Sequence, residues 1–128
     1  VARSLAGQNG NRVYMAGGEL RADDGAAFGE TATNFAAQFR VDKAFLSIAG
    51  ITPDNGFMDN ELWEADFSRT IIRQASQVIM VADHSKFERR ALVKVCDFDT
   101  VDTLITTQMP PPSIAEKLEL ANVEVIVA

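Results

Sequence analysis

Cysteine and histidine each occur once in this 128-residue chain. A lone Cys96 excludes an internal disulfide and a cysteine-based zinc site. A lone His84 excludes a multi-histidine metal centre and argues against a Cys–His nucleophile pair. Basic residues are the minority, 12 against 18 acidic, for a formal charge of −6. Phosphate-backbone recognition needs clustered Lys and Arg, so this chain is not expected to bind nucleic acid by itself. No apolar run approaches the roughly 18 residues that span a bilayer, so no membrane partner is expected. There is no Gly-x-Ser-x-Gly elbow, no P-loop, no Gly-x-Gly-x-x-Gly and no His-Glu-x-x-His. No pair of acids is forced together by helical spacing beside a base. No catalytic residue, cofactor or metal is therefore indicated, and internal repeats and low-complexity tracts are absent.

What remains is ordinary globular material. Apolar residues make up 47% and charged residues 23%, which excludes a disordered composition. The length suits one domain with a real core. The first residue is Val1, and no apolar signal region follows it. The chain is expected to be a piece of a longer cytoplasmic protein.

Short apolar runs alternate with helical patterns. Residues 12–16 read as a strand that stops at Gly17-Gly18. Ala32, Phe35, Ala36 and Phe39 lie on one face of a helix over 31–39. Residues 44–49 and 77–82 are continuous apolar runs, as in strands covered on both faces. Between them, Thr52 to Asn60 carries turn chemistry and reads as a loop. A helix over 61–75 has two apolar stripes, one of them including Trp63 and Phe67; core packing suits that pair better than a stacking platform. Residues 91–95 and 103–107 suit two more short strands. After Pro110-Pro111-Pro112, Ser113 and Glu116 have the spacing of a capping box. Ile114, Leu118 and Ala121 mark the inner face of that helix, and 123–127 closes as a strand. This alternation predicts an α/β domain with a mostly parallel sheet and helices on both faces.

Ligands of such sheets bind beyond the carboxyl ends of the strands. The best candidate follows the 77–82 strand, where Asp83, His84, Ser85 and Lys86 stand together. Lys86, Arg89 and Arg90 form a local cationic patch that suits a small anion. Asp83 serves equally as a cap for the next turn, and His84 as a donor or a plain surface residue. Gly17 and Gly18 either let backbone N–H groups approach a phosphate or only make a tight turn. Gly50 closes the 44–49 run. Glu64 suits a helix start, and Arg69 either reaches an anion or faces water.

The string VADHSKFERRALV (81–93) resembles a strand-plus-Asp-x-x-Lys segment of the effector domain of DeoR-type bacterial transcriptional regulators. AGGELR (16–21), FGE (28–30), FRVDKAFLSIAGI (39–51), Glu64, RTII (69–72) and VDTLIT (101–106) follow in that family's order. The resemblance implies a Rossmann-like sensor of carbohydrate or polyol catabolism, similar in fold to ribose-5-phosphate isomerase, glucosamine-6-phosphate deaminase and the CoA-transferases. It implies a phosphorylated sugar or polyol inducer, with glycerol 3-phosphate the first candidate. Operator DNA would be bound through an N-terminal helix-turn-helix outside this chain, and a homo-oligomer is expected. The family's inducer-linked Asp and Lys match Asp83 and Lys86, and its early Gly-Gly matches Gly17 and Gly18. Gly50 joins Gly17 and Gly18 as a point of close backbone approach, Ser85 joins the ligand set, and His84, Glu64 and Arg69 are further candidates.

Two departures stand out. The family's leading strand and Ser/Thr-Gly-Thr-Thr loop are absent, so residues 1–128 are expected to be an N-terminally incomplete sensor domain. Many members carry Gly-Ala-Asp-Gly-Ile where this chain has Ser47-Ile48-Ala49-Gly50-Ile51. Ala49 removes an acid near the point where the related isomerases hold catalytic carboxylates, so no enzyme is expected. The alternatives are an isomerase- or deaminase-like enzyme, or a domain whose main work is oligomerisation.

Overall fold

A computed structural model describes residues 2–22 and 25–128. The chain opens with a short helix α1 (Ala2–Ala6). A two-stranded antiparallel hairpin follows, β1 (Glu19–Leu20) with β2 (Ala27–Phe28). Next come α2 (Glu30–Ala36), β3 (Val41–Ser47), β4 (Gly50–Thr52) and β5 (Gly56–Asp59). Helix α3 (Leu62–Gln74) runs directly into β6 (Ala75–Val81). A 3-10 turn at His84–Lys86 leads to β7 (Val93–Cys96), and a second at Phe98–Thr100 leads to β8 (Thr103–Thr106). Helix α4 (Pro112–Leu120) and β9 (Glu124–Val127) complete the order.

The main sheet has the order β3-β6-β8-β9 and is parallel throughout. Its register sets Ala44 beside Val78, Leu46 beside Met80, Met80 beside Leu104, and Leu104 beside Val125. Side chains alternate across a strand, so these residues share one face. That face packs with Ala65 of α3 and with Ile114 and Leu118 of α4 in the central core. The opposite face, where a second helical layer would pack, holds Phe45, Val81 and Ile126 at 63%, 43% and 40% exposure. The α/β class and the mostly parallel sheet are as the apolar runs predict; α3 and α4 cover one face.

Asp102 ties the middle of β6 to the amino ends of β8 and β9. Its carboxylate accepts from the Val78 amide at 2.7 Å, and its carbonyl accepts from the Glu124 amide at 3.0 Å. Its own amide donates to the Val78 carbonyl at 3.0 Å. Asp102→Ala would leave the Val78 amide short of an acceptor. The expected cost is about 1–3 kcal/mol, the range for an unsatisfied buried donor, read as a lower urea midpoint at unchanged slope.

Three local expectations are corrected. Residues 12–16 form no strand: the segment finds no ladder partner among the described residues, and Met15 is 74% exposed. The loop expected over 52–60 is a buried hairpin, with Thr52 opposite Gly56 and Ile51 opposite Phe57. It joins β7 in a separate three-stranded antiparallel sheet. The turn residues are real, since the Asn55 amide donates to Thr52 Oγ1 at 3.2 Å and Gly56 has φ +69°. They make a tight turn between strands rather than a long loop. The capping box is also absent. Pro112 starts the helix with its preset φ, which puts Ser113 inside the first turn. Its hydroxyl donates to Glu88 Oε1 at 3.4 Å instead.

Candidate functional site

The carboxyl ends of β3, β6 and β8 open on a cavity of about 520 Å³. Ser47 and Ile48 wall it after β3, Asp83 and Lys86 after β6, and Thr106 and Thr107 at the end of β8. Asp83 and Lys86 thus line a cavity beyond the carboxyl ends of the strands.

Asp83 caps the 3-10 turn, since its Oδ1 accepts from the Ser85 amide at 2.8 Å. Hydrogen bonds from Ser85, side chain and backbone, hold the Asp83 carboxyl below its usual range, helped by the charge of Lys86. Asp83 is therefore a firm anion at neutral pH. His84 is tied across to β8. Its backbone amide donates to Thr107 Oγ1 at 3.0 Å, and its Nδ1 lies 2.9 Å from the same oxygen. Lys86 forms no ion pair among the described residues. Thr106 is buried, and its Oγ1 has no hydrogen-bond partner among them. The cavity wall thus offers a cation and a hydroxyl with unused capacity. Arg89 and Arg90 are exposed outside this wall, so the cationic patch contributes Lys86 alone.

The glycines divide. A Cβ on Gly50 would meet the Arg89 carbonyl oxygen at 2.1 Å, and one on Gly18 the Phe28 carbonyl oxygen at 2.4 Å. Both close approaches are to the chain's own backbone. Gly17 faces open space. Arg69 donates to Asp66 Oδ1 at 2.8 Å and to the Lys94 carbonyl, so its guanidinium is spent within the fold. Cys96 is buried, and that burial pushes its thiol up to about 12, which makes it inert.

Glu64 belongs to a second, larger cavity of about 720 Å³ between the β1–β2 hairpin and α3. Arg21 Nη1 lies 2.6 Å from Glu64 Oε1. The guanidinium also sits 4.5 Å over the Phe28 ring, and Phe28 meets Trp63 edge-on at 3.9 Å. Asp59, at the end of β5, lies beside Glu64. Its carboxyl is pushed up to about 6, first by burial and then by the neighbouring Glu64 carboxyl, against the Asn60 amide, which lowers it. Ala49 lines the same cavity.

Arg21, Asp59, Thr106 and Thr107 were not singled out from sequence. The threonines are the last two residues of an expected strand, so looking two residues earlier would have found them. Arg21 and Asp59 lie far apart in sequence and meet only through the hairpin.

The fold and rim define a parallel α/β domain of ligand-binding type. A family model described as the DeoR C terminal sensor domain matches residues 1–108. The chain belongs to that family. It is 38% identical over 118 residues to a glycerol-3-phosphate regulon repressor of Escherichia coli, covering 92% of this chain and 47% of that protein. It is 41% identical over 98 residues to the protein of the same description in Haemophilus influenzae, covering 77% and 38%. It is 28% identical over 127 residues to the HTH-type transcriptional repressor GlcR of Bacillus subtilis, covering 99% and 49%. The chain spans about half the length or less of these curated relatives. No helix among the described residues is long and apolar enough to cross a membrane.

Proposed function

We propose that this chain is the inducer-sensing part of a cytoplasmic transcriptional repressor and binds a phosphorylated polyol or sugar at the rim cavity. The observation that carries this reading is that, among the described residues, Lys86 has no ion pair and the Thr106 hydroxyl no hydrogen-bond partner, both on one cavity at the strand ends. Lys86 pairs with the phosphate, Thr106 donates to it, and Asp83 accepts from ligand hydroxyls; Ser85 acts by holding Asp83 in place. The glycerol-3-phosphate regulon repressors among its relatives make glycerol 3-phosphate the first candidate. The reading is regulatory rather than catalytic: the relatives are repressors. Induction requires that the ligand bind the arrangement of low operator affinity more tightly than the DNA-competent one. Operator DNA is contacted by the part of the protein outside this chain.

Calorimetry on the intact protein with a panel of polyol and sugar phosphates tests this reading. Binding of at least one is expected, and failure of every one to bind sinks the proposal. Lys86→Ala is expected to weaken that ligand about 10- to 100-fold, the range for a lost charge-assisted hydrogen bond.

A further inference from the structure

The larger cavity and the rim cavity share a wall. Ser47 and Ile48, at the carboxyl end of β3, line both. A ligand held at Lys86 therefore has a second chamber beside it, floored by α3 and roofed by the hairpin. Its polar groups are of a different kind from those of the rim. Asp59 and Glu64 bring carboxylate acceptors, and Arg21 brings the donors that hold Glu64 in place. Phe28 and Phe45 supply apolar wall. A few convergent polar groups in a mainly apolar chamber are what orients a small ligand.

We propose that this chamber is the second half of the sensor site, with Asp59 and Glu64 accepting hydrogen bonds from the hydroxyl groups of a ligand whose phosphate lies at Lys86. The inference rests on the phosphate reading of the rim. Ionised carboxylates only accept, and hydroxyls are the donors that a polyol or sugar phosphate brings. In the free protein Asp59 and Glu64 lie side by side in the chamber, where burial first and the neighbouring Glu64 carboxyl second raise the Asp59 carboxyl to about 6. Ligand hydroxyls bring a donor to each carboxylate. The Arg21 clasp, with Phe28 against Trp63, fixes Glu64 before the ligand arrives. A site built to bind hydroxyls rejects an analogue that lacks them, because its own polar groups are then left unpaired.

The test uses four probes on the intact protein by calorimetry: inorganic phosphate, propyl phosphate, sn-glycerol 3-phosphate and glucose 6-phosphate. At least one hydroxylated ester is expected to bind about tenfold or more tighter than propyl phosphate. Asp59→Asn and Glu64→Gln are each expected to remove most of that gap, with the loss confined to the hydroxylated esters. Lys86→Ala is expected to weaken all four probes. A gap that is absent in the wild type, or that survives both variants, overturns the chamber assignment and leaves the rim reading standing. Phosphate binding that survives Lys86→Ala overturns the rim reading, and a chamber tied to Lys86 falls with it. Binding of no probe overturns both. If Glu64→Gln fails to fold, the near-isosteric Asp59→Asn decides alone.

Discussion

Phe57→Ala is expected to lower the unfolding free energy by about 3–5 kcal/mol, the range for truncating a buried phenylalanine. Phe57 is fully buried in β5, the middle strand of the small antiparallel sheet. Its ring meets Phe98 at 5.4 Å with the planes at 61°, an edge-on contact that adds to simple burial. Its backbone pairs with Ile51 on one side and Cys96 on the other. Three elements therefore lose packing at once, and none is free to collapse into the space. A domain of this size has roughly 5–15 kcal/mol in total, so the variant sits near the edge of folding. Urea unfolding checks the figure. A loss under about 1 kcal/mol would show that the small sheet is a peripheral flap rather than part of the core.

That sheet is also where reading the sequence was least informative. The strands of the main sheet announced themselves as the continuous apolar runs 44–49 and 77–82, although Phe45 and Val81 of those runs stand exposed on the face that α3 and α4 do not cover. Observed β3 and β6 start two to three residues earlier, at Val41 and Ala75, where polar residues break the run. GFMD at 56–59 is fully buried, yet it follows Pro53, Asp54 and Asn55. Turn residues dominate so short a window, and the pairing with β7 spans more than 30 residues of chain. The reverse holds at 12–16, where an apolar, β-prone run has no strand partner among the described residues. Propensity for a strand is a statement about surroundings as much as about residues.

The site divides in the same way. Asp83 and Lys86 were legible because strand-end position and charge are local properties. The Arg21–Glu64–Asp59 cluster was not, because it joins the hairpin, α3 and β5. Asp59 in sequence is one more acid beside an asparagine; only burial makes it distinctive.

Gly50→Ala is expected to cost about 3 kcal/mol, the upper end of the usual range for forcing extra atoms into a packed site. The added Cβ would lie 2.1 Å from the Arg89 carbonyl oxygen and 3.0 Å from its carbon, both backbone atoms that cannot rotate away. Relief requires moving the 87–89 segment as a body. That segment is held to β4 by the Glu88 amide donating to the Ile51 carbonyl at 2.8 Å, and by a bridge between Ile51 and Phe87. Lys86 immediately precedes it. A loss of phosphate-ester affinity is therefore expected to accompany the loss of stability, although Gly50 does not line the rim cavity. Gly17→Ala supplies the contrast, with nothing within 4 Å of the new atom and no positive φ. Its expected effect on stability is within about 0.5 kcal/mol, as for surface changes in general. Urea unfolding and calorimetry on both variants separate two roles that the sequence leaves together. Lost affinity at unchanged stability in Gly50→Ala would mean that ligand touches Gly50 directly. Lost affinity together with lost stability means that Gly50 positions Lys86 through the backbone of Arg89.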